Sequence, residues 1–301
     1  MTTSATPLRP RAPGAVHTLL AVFYIFLWAS AFVPGRVLST SAPPLWVLAI
    51  RFTAAGLLLF AGSLAAGLAL PKRPRTWLWL SLLGLCGNAG YLGFTYLAMR
   101  HLSSGMGAIL VSTNPLILAL AAPRLLGEPL TRRKLLGMAL GFGGVVITMA
   151  ARAGLQTARP QDVLLAMSGV TLLAASTVVY KRLPDKPHPL MVNAVQLAAA
   201  GLFMLPAALL LHGPPQVVFS RSVVLGLAWV VLVMSIGASL LWFWLLTHGD
   251  ASRVSAWYFL TPVFGLLTGA LLLGEKLVPL DAVGLVVIAL GLLLVTREPG
   301  R

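Results

Sequence analysis

The side chains that could hold a metal or move a proton are five histidines, seven acidic residues and one cysteine, in a chain of 301 residues. His17, His101, His188, His212 and His248 lie scattered at the ends of apolar runs or between them, with no carboxylate or cysteine at ligand spacing, so no metal centre and no acid–base pair is expected. Cys86 is alone, which leaves neither a disulfide nor a cysteine-based metal site. No Gly-Lys-Ser/Thr phosphate loop is present, and hence no ATP-driven step is expected. No cofactor follows from any motif, and the chain does not read as an enzyme.

What remains is binding chemistry inside apolar segments. Asn88, Tyr91 and Thr95 are spaced i, i+3 and i+7 and form one polar stripe on a helix. Ser235, Ser239 and Trp242 repeat the pattern, as do Ser255, Tyr258 and Pro262. An amide or a phenol in hydrocarbon needs a partner, and a wet cavity supplies one. Uncharged polar groups beside Trp and Tyr suit an amphipathic small molecule. Trp28 and Tyr180 could add to such a wall. Tyr180 and Trp257, near segment ends, also fit an interfacial aromatic belt. The glycines at 84, 87, 90 and 93 fit close helix packing.

The elements that would position these groups are membrane helices. Hydrophobic residues make up 58% and charged residues 10% of the sequence, against about 25% charged in soluble domains. Apolar runs at 17–38, 44–69, 76–99, 103–125, 131–151, 161–183, 189–212, 221–247, 252–273 and 280–297 give ten transmembrane helices. The net charge of +15 sits in short clusters between runs and not on one soluble face, so no nucleic-acid partner is expected. Arg9 and Arg11 ahead of Ala29-Ser30-Ala31 mimic a signal peptide, but the internal repeat argues that this first helix is kept. Fifteen basic residues, among them Lys72, Arg73, Arg133, Lys181 and Lys186, fall on the side of the N-terminus and six on the other. The positive-inside rule then places both termini in the cytoplasm.

The two halves of the chain resemble each other. Residues 44–57 (PLWVLAIRFTAAGL) match 189–202 (PLMVNAVQLAAAGL). Pro115, Leu126-Gly127-Glu128, Gly137 and Gly144 match Pro262, Leu273-Gly274-Glu275, Gly284 and Gly291 at one constant spacing. Ser30 and Arg36 likewise match Ser176 and Arg182. Five spans per half is an odd number, so the second half would enter the membrane upside down. Such an inverted repeat places a solute site near the midplane, where the halves can rock around it.

These residues also carry a family resemblance. Trp28-Ala29-Ser30-Ala31-Phe32, the stretch from Tyr96 to Val146 with YLAMRHLSSG, Asn114-Pro115, Leu126-Gly127-Glu128-Pro129-Leu130-Thr131, Gly137 and Gly144, and the echo of that stretch in the second half resemble the EamA-type branch of the drug/metabolite transporter superfamily. The resemblance implies an all-α membrane protein with two five-helix inverted-topology repeats around a central cavity, lined mainly by the first, third, fourth, sixth, eighth and ninth helices. It implies export of amino acids and other metabolites by alternating access from a bacterial-type inner membrane.

The expected organisation is a cytoplasmic tail at 1–16, a first five-helix repeat at 17–151, an inverted second repeat at 152–297 and a tail at 298–301. The expected substrate-binding residues are Trp28, Ser30, Asn88, Tyr91, Thr95, Asn114, Ser176, Ser239, Trp242 and Tyr258. Pro115 and Pro262, each roughly 15–18 Å deep at 1.5 Å per residue, are the expected kinks, because proline frees backbone carbonyls that a cavity can satisfy. Arg51 is the one charge inside a span. It could bind a carboxylate, but a peripheral second helix would let it snorkel outward. Glu128 and Glu275 follow helix-stopping glycines and are expected to fix the turns between helices. The glycine faces at 137, 141, 144 and at 284, 291 suit scaffold packing or a dimer seam, so monomer and homodimer stay open.

The leading expectation is a carrier for neutral or aromatic amino acids, working without ion coupling because the acidic residues fall at helix ends or in loops. A phosphosugar or nucleotide-sugar exchanger would need several Lys or Arg at the cavity. A membrane enzyme or receptor-like protein would need clustered intramembrane His and carboxylates or a large loop domain.

Overall fold

A computed structural model describes residues 15–31, 34, 37–38, 41–102, 104–150, 159–264, 267 and 278–296. Phe32, Arg36, Leu273, Gly274 and Glu275 lie outside the described residues. All regular structure within them is helical. The segments are α1 (Ala15–Ser30), α2 (Pro44–Ala65), and α3, which runs as Pro74–Gly84, a π turn at Leu85–Gly90 and Tyr91–Ala98. Next come α4 (Ser104–Val111 and Asn114–Leu126), α5 (Arg132–Ala150), α6 (Pro160–Lys181) and α7 (Pro189–His212). Then α8 runs as Arg221–Ala228, a π turn at Trp229–Ala238 and Ser239–His248. Finally α9 has Ala251–Ala256, a 3-10 turn at Trp257–Leu260 and helix to residue 264, and α10 spans Pro279–Thr296.

Proline punctuates these starts. Pro44, Pro74, Pro160, Pro189 and Pro279 open α2, α3, α6, α7 and α10, where the missing N–H costs nothing because the first turn has no intrahelical acceptor. Gly127, at φ 69°, ends α4 in the left-handed conformation that a side chain resists. Among the described residues six segments are long and apolar enough to cross a membrane: Pro44–Ala65, Ile109–Leu126, Pro160–Lys181, Pro189–His212, Arg221–His248 and Pro279–Thr296. Their outer faces carry large exposed apolar side chains such as Leu58, Leu202, Leu210 and Leu290, the surface a lipid bilayer covers.

The repeat-related helices pair with each other. The α2–α7 contact is antiparallel, with Gly56 against Ala198, Thr53 against Gly201 and the Trp46 indole donating to the Gly213 carbonyl at 3.0 Å. A methyl group on Gly56 would lie 2.5 Å from the Ala198 amide nitrogen, so only glycine lets these backbones approach. α5 and α10 meet the same way, Gly137 and Gly141 against Gly291 and Gly144 against Gly284. A methyl on Gly291 would sit 2.4 Å from the Gly141 nitrogen. The small-residue faces expected on these two helices are therefore spent on each other within one chain.

Between the two pairs, α1, α3, α6, α8 and α9 enclose the centre. The main apolar cluster joins Tyr24 and Ile25 of α1, Leu80 and Leu83 of α3, Trp242 and Leu245 of α8, and Trp257 to Phe259 of α9. Trp257 is buried in this cluster, so it is not a belt residue.

Candidate functional site

A central cavity encloses about 610 Å³ of empty space, its open mouth included. Its aromatic wall comes from three helices. Tyr24 and Trp28 stand one turn apart on α1, Trp242 is on α8 and Tyr258 is on the 3-10 turn of α9. Tyr24 stacks on Trp242 with centroids 5.0 Å apart, and its hydroxyl pairs with that of Tyr258 at 2.7 Å. Trp28 meets Tyr258 edge to face at 5.5 Å. Such offset and T-shaped contacts fix the rings, each worth about 0.5–1.5 kcal/mol beyond burial, so the wall is preformed.

The polar wall comes from α3, α6, α7 and α8. Asn88 donates to Gln196 Oε1 at 3.3 Å, Gln196 to Asn193 Oδ1 at 2.7 Å, and Asn193 to the Ser235 carbonyl at 2.9 Å. Ser176, Thr177 and Ser239 complete it. The two π turns aim these groups. Asn88 lies within Leu85–Gly90, and Ser235 and Ser239 donate to the carbonyls of Val230 and Met234, five residues back. A wide turn rotates the following side chains relative to an α-helix, and π turns recur at functional sites. α3 is drawn onto α7 at Gly84, where a methyl would collide with the Gln196 carbonyl.

Arg51 of α2 points into this cavity. It is 8% exposed, its Nε donates to Ser235 Oγ at 2.8 Å, and its guanidinium lies 5.5 Å from the Phe52 ring centroid. Outward snorkelling is thus corrected. The Ser235 hydroxyl on the α8 π turn, itself donating to the Val230 carbonyl, accepts from Nε and holds the headgroup inward.

Of the ten expected binding residues, Trp28, Asn88, Ser176, Ser239, Trp242 and Tyr258 stand on the cavity wall. The other four do not. Ser30 donates to the Leu27 carbonyl and accepts from the Trp229 indole. Tyr91 is buried and stacks on Trp28 without lining the space itself. Thr95 faces α6 at Gly169, and Asn114 is fully buried with no hydrogen-bond partner for its amide among the described residues. Pro115 and Pro262 are buried away from the cavity. Each follows irregular backbone, the turn at residues 112–113 and the 3-10 turn Trp257–Leu260, so both re-start a helix after a break. α4 contributes nothing to the described wall, whereas α2 and α7 supply Arg51 and Gln196.

Tyr24, Arg51, Thr177, Tyr180 and Gln196 also line the cavity. Tyr24 was legible as the i−4 neighbour of Trp28, and Gln196 as the repeat partner of Arg51. Tyr180 stacks on Phe243 at 4.4 Å and donates to its carbonyl at 3.2 Å, which removes it from the belt.

A second polar cluster ties the halves together at the Lys134 end. Glu128 accepts from the amides of Ala251 and Ser252 at 2.6 and 3.2 Å and from the Ser252 hydroxyl at 2.6 Å. It caps the N-terminus of α9, where the helix dipole favours an anion. Lys134 Nζ lies 3.9 Å from Glu128 and 3.8 Å from Asp250, and Lys181 donates to the Gly249 carbonyl at 2.6 Å. Glu128 therefore does more than fix its own turn, since it reaches across from α4 to the start of α9.

An apolar-skinned helical bundle around a preformed amphipathic cavity is the architecture of a membrane carrier of small molecules. The EamA-like transporter family model matches this chain twice, over residues 16–150 and 162–297. The chain belongs to that family, within the drug/metabolite transporter superfamily, and is a multi-pass membrane transporter. It is 29% identical over 278 residues to the "Uncharacterized inner membrane transporter YedA" of Escherichia coli K12, covering 92% of this chain and 89% of that one. It is 27% identical over 283 residues to the "Probable amino-acid metabolite efflux pump" of Salmonella typhimurium, covering 91% and 92%. A solved crystal structure shares the fold, with a TM-score of 0.78 at 22% identity over 93% of this chain and 96% of the other.

Proposed function

We propose that the protein exports small amphipathic metabolites, foremost neutral and aromatic amino acids, by alternating access and without ATP or ion coupling. The observation that carries this reading is the wall itself. Fixed rings of Tyr24, Trp28, Trp242 and Tyr258 face neutral amides and hydroxyls of Asn88, Ser176, Gln196 and Ser239, a pairing suited to a solute with an apolar body and a polar end. Among the described residues no Asp, Glu or His lines the cavity, which favours flux down the solute's own gradient over a proton relay. The name of the Salmonella relative adds amino-acid metabolites as a class.

Ten transmembrane helices in two five-helix halves, 17–151 and 152–297, form the working unit, with short cytoplasmic tails at 1–16 and 298–301. The antiparallel α2–α7 and α5–α10 pairs support an inverted repeat, because equivalent helices of oppositely inserted halves must run in opposite directions. The setting is a bacterial-type inner membrane with both termini in the cytoplasm.

The test is uptake by proteoliposomes of a labelled panel of amino acids, sugars and nucleotides, with counterflow to separate exchange from leak. Aromatic and neutral amino acids should equilibrate fastest. Preference for sugar phosphates or nucleotide sugars would replace this reading.

A further inference from the structure

We propose that Arg51 is the anchor for a substrate carboxylate, so that the cavity selects amphipathic monocarboxylates, with or without an amino group, over the corresponding amines. This rests on the reading of the cavity as a transport site.

Arg51 holds a permanent charge in a helix that carries no other charged residue, 8% exposed, at the cavity wall. A buried cation needs a counter-ion, and the described acids are all engaged elsewhere. Glu128 caps α9, Asp162 pairs with His101, Asp185 with Arg73, and Asp250 with Lys134 and Arg253, while Asp281 accepts from the Val278 amide. Among the described residues the only hydrogen bond of the guanidinium runs from Nε to the neutral Ser235 hydroxyl. The two Nη groups are therefore free to donate, and they form the planar fork that binds a carboxylate through both oxygens.

The surroundings decide which anion fits. One guanidinium among neutral amides balances one negative charge, which favours a monocarboxylate over a phosphate dianion. The Tyr24, Trp28, Trp242 and Tyr258 rings take the apolar body. No carboxylate lines the described cavity to receive an ammonium. The amino group is therefore tolerated through hydroxyls and the Asn88 amide but is not what the site reads.

The experiment is ligand binding to the purified full-length protein, followed by its own tryptophan fluorescence, since Trp28 and Trp242 line the cavity. The probes are 3-phenylpropanoate, L-phenylalanine, phenethylamine and phenyl phosphate. The wild type should bind 3-phenylpropanoate, with phenethylamine at least about tenfold weaker and phenyl phosphate weaker than the acid. Arg51→Gln should weaken the acid at least about tenfold and Arg51→Lys by less, each with an unchanged size-exclusion profile. The wild-type ligand series stands even if a variant fails to fold. Phenethylamine matching the acid, phenyl phosphate binding more tightly, Arg51→Gln folding and binding as wild type, or no binding of either carboxylate would each overturn the anchor. Binding of 3-phenylpropanoate through Arg51 with no amino-acid flux in vesicles would remove amino-acid export and keep the anchor.

Discussion

Replacing Glu128 by Ala tests how much the contact between α4 and the start of α9 holds one access state together. The change leaves the Ala251 and Ser252 amides and the Ser252 hydroxyl without an acceptor and removes a neighbour of the Lys134 charge. Hydrogen bonds to a charged group are worth about 1.5–3 kcal/mol each, and losing a helix N-cap costs about 1 kcal/mol. Both Glu128 and Lys134 are under a tenth exposed, so solvent screens these terms little. Water and the neighbouring Asp250 recover part, and a net loss of about 3 kcal/mol is a fair lower estimate. If the contact exists only while the bundle is closed at this end, the loss shifts the access equilibrium by roughly 150-fold. Ser239→Cys in a Cys86→Ala background places a thiol on the cavity wall, and an impermeant reagent added from the cytoplasmic face of inverted vesicles reads its exposure. Glu128→Ala should speed labelling by at least tenfold and lower the thermal midpoint by about 6 °C or more, at about 2 °C per kcal/mol. Unchanged labelling together with an unchanged midpoint would show that the contact stabilises neither state.

Trp242→Ala should cut transport by at least about tenfold, since it removes the ring that stacks on Tyr24. Trp77→Ala, whose indole donates to the Pro71 carbonyl outside the cavity, should leave transport within about twofold at matched expression, and equal losses would contradict this division of faces. Gly291→Leu should abolish folded protein in detergent, because the α5–α10 backbones cannot separate without opening the core. Gly62→Ala, with nothing within 4 Å of the new methyl, should elute as wild type. Proteoliposomes with imposed pH or sodium gradients should show no accumulation above the level reached without them, and strong uphill uptake under either gradient would defeat uncoupled transport.

Much of the site was readable from spacing. Asn88 and Trp242 were marked by polar stripes, Ser176 by the repeat and Tyr258 by its place before Pro262. What misled was the assumption of regular helices. The π turns in α3 and α8 rotate residues out of simple helical register, and Tyr91 and Thr95, on the same nominal face as Asn88, do not line the cavity. Asn114 sits at the restart of α4, where a two-residue break redirects the chain. The direction in which Arg51 turns was illegible for another reason. Whether a long cationic side chain snorkels or turns inward depends on a hydroxyl 184 positions away, a contact no local pattern encodes. The same holds for Glu128, whose partners lie on α9.

A fixed guanidinium at the centre of the bundle has a bearing on leakage. A carrier returning empty must not become a pathway for ions, and the aromatic wall of this cavity would by itself attract cations through its ring faces. With Arg51 in place, a sodium ion or hydronium at roughly 6 Å meets a repulsion of about 3 kcal/mol at an effective dielectric constant near 20, enough to lower its occupancy about a hundredfold. An anion that enters neutralises that charge and lifts the barrier only while it is bound. One arginine held against Ser235 thus sets a barrier against cations in the empty cavity.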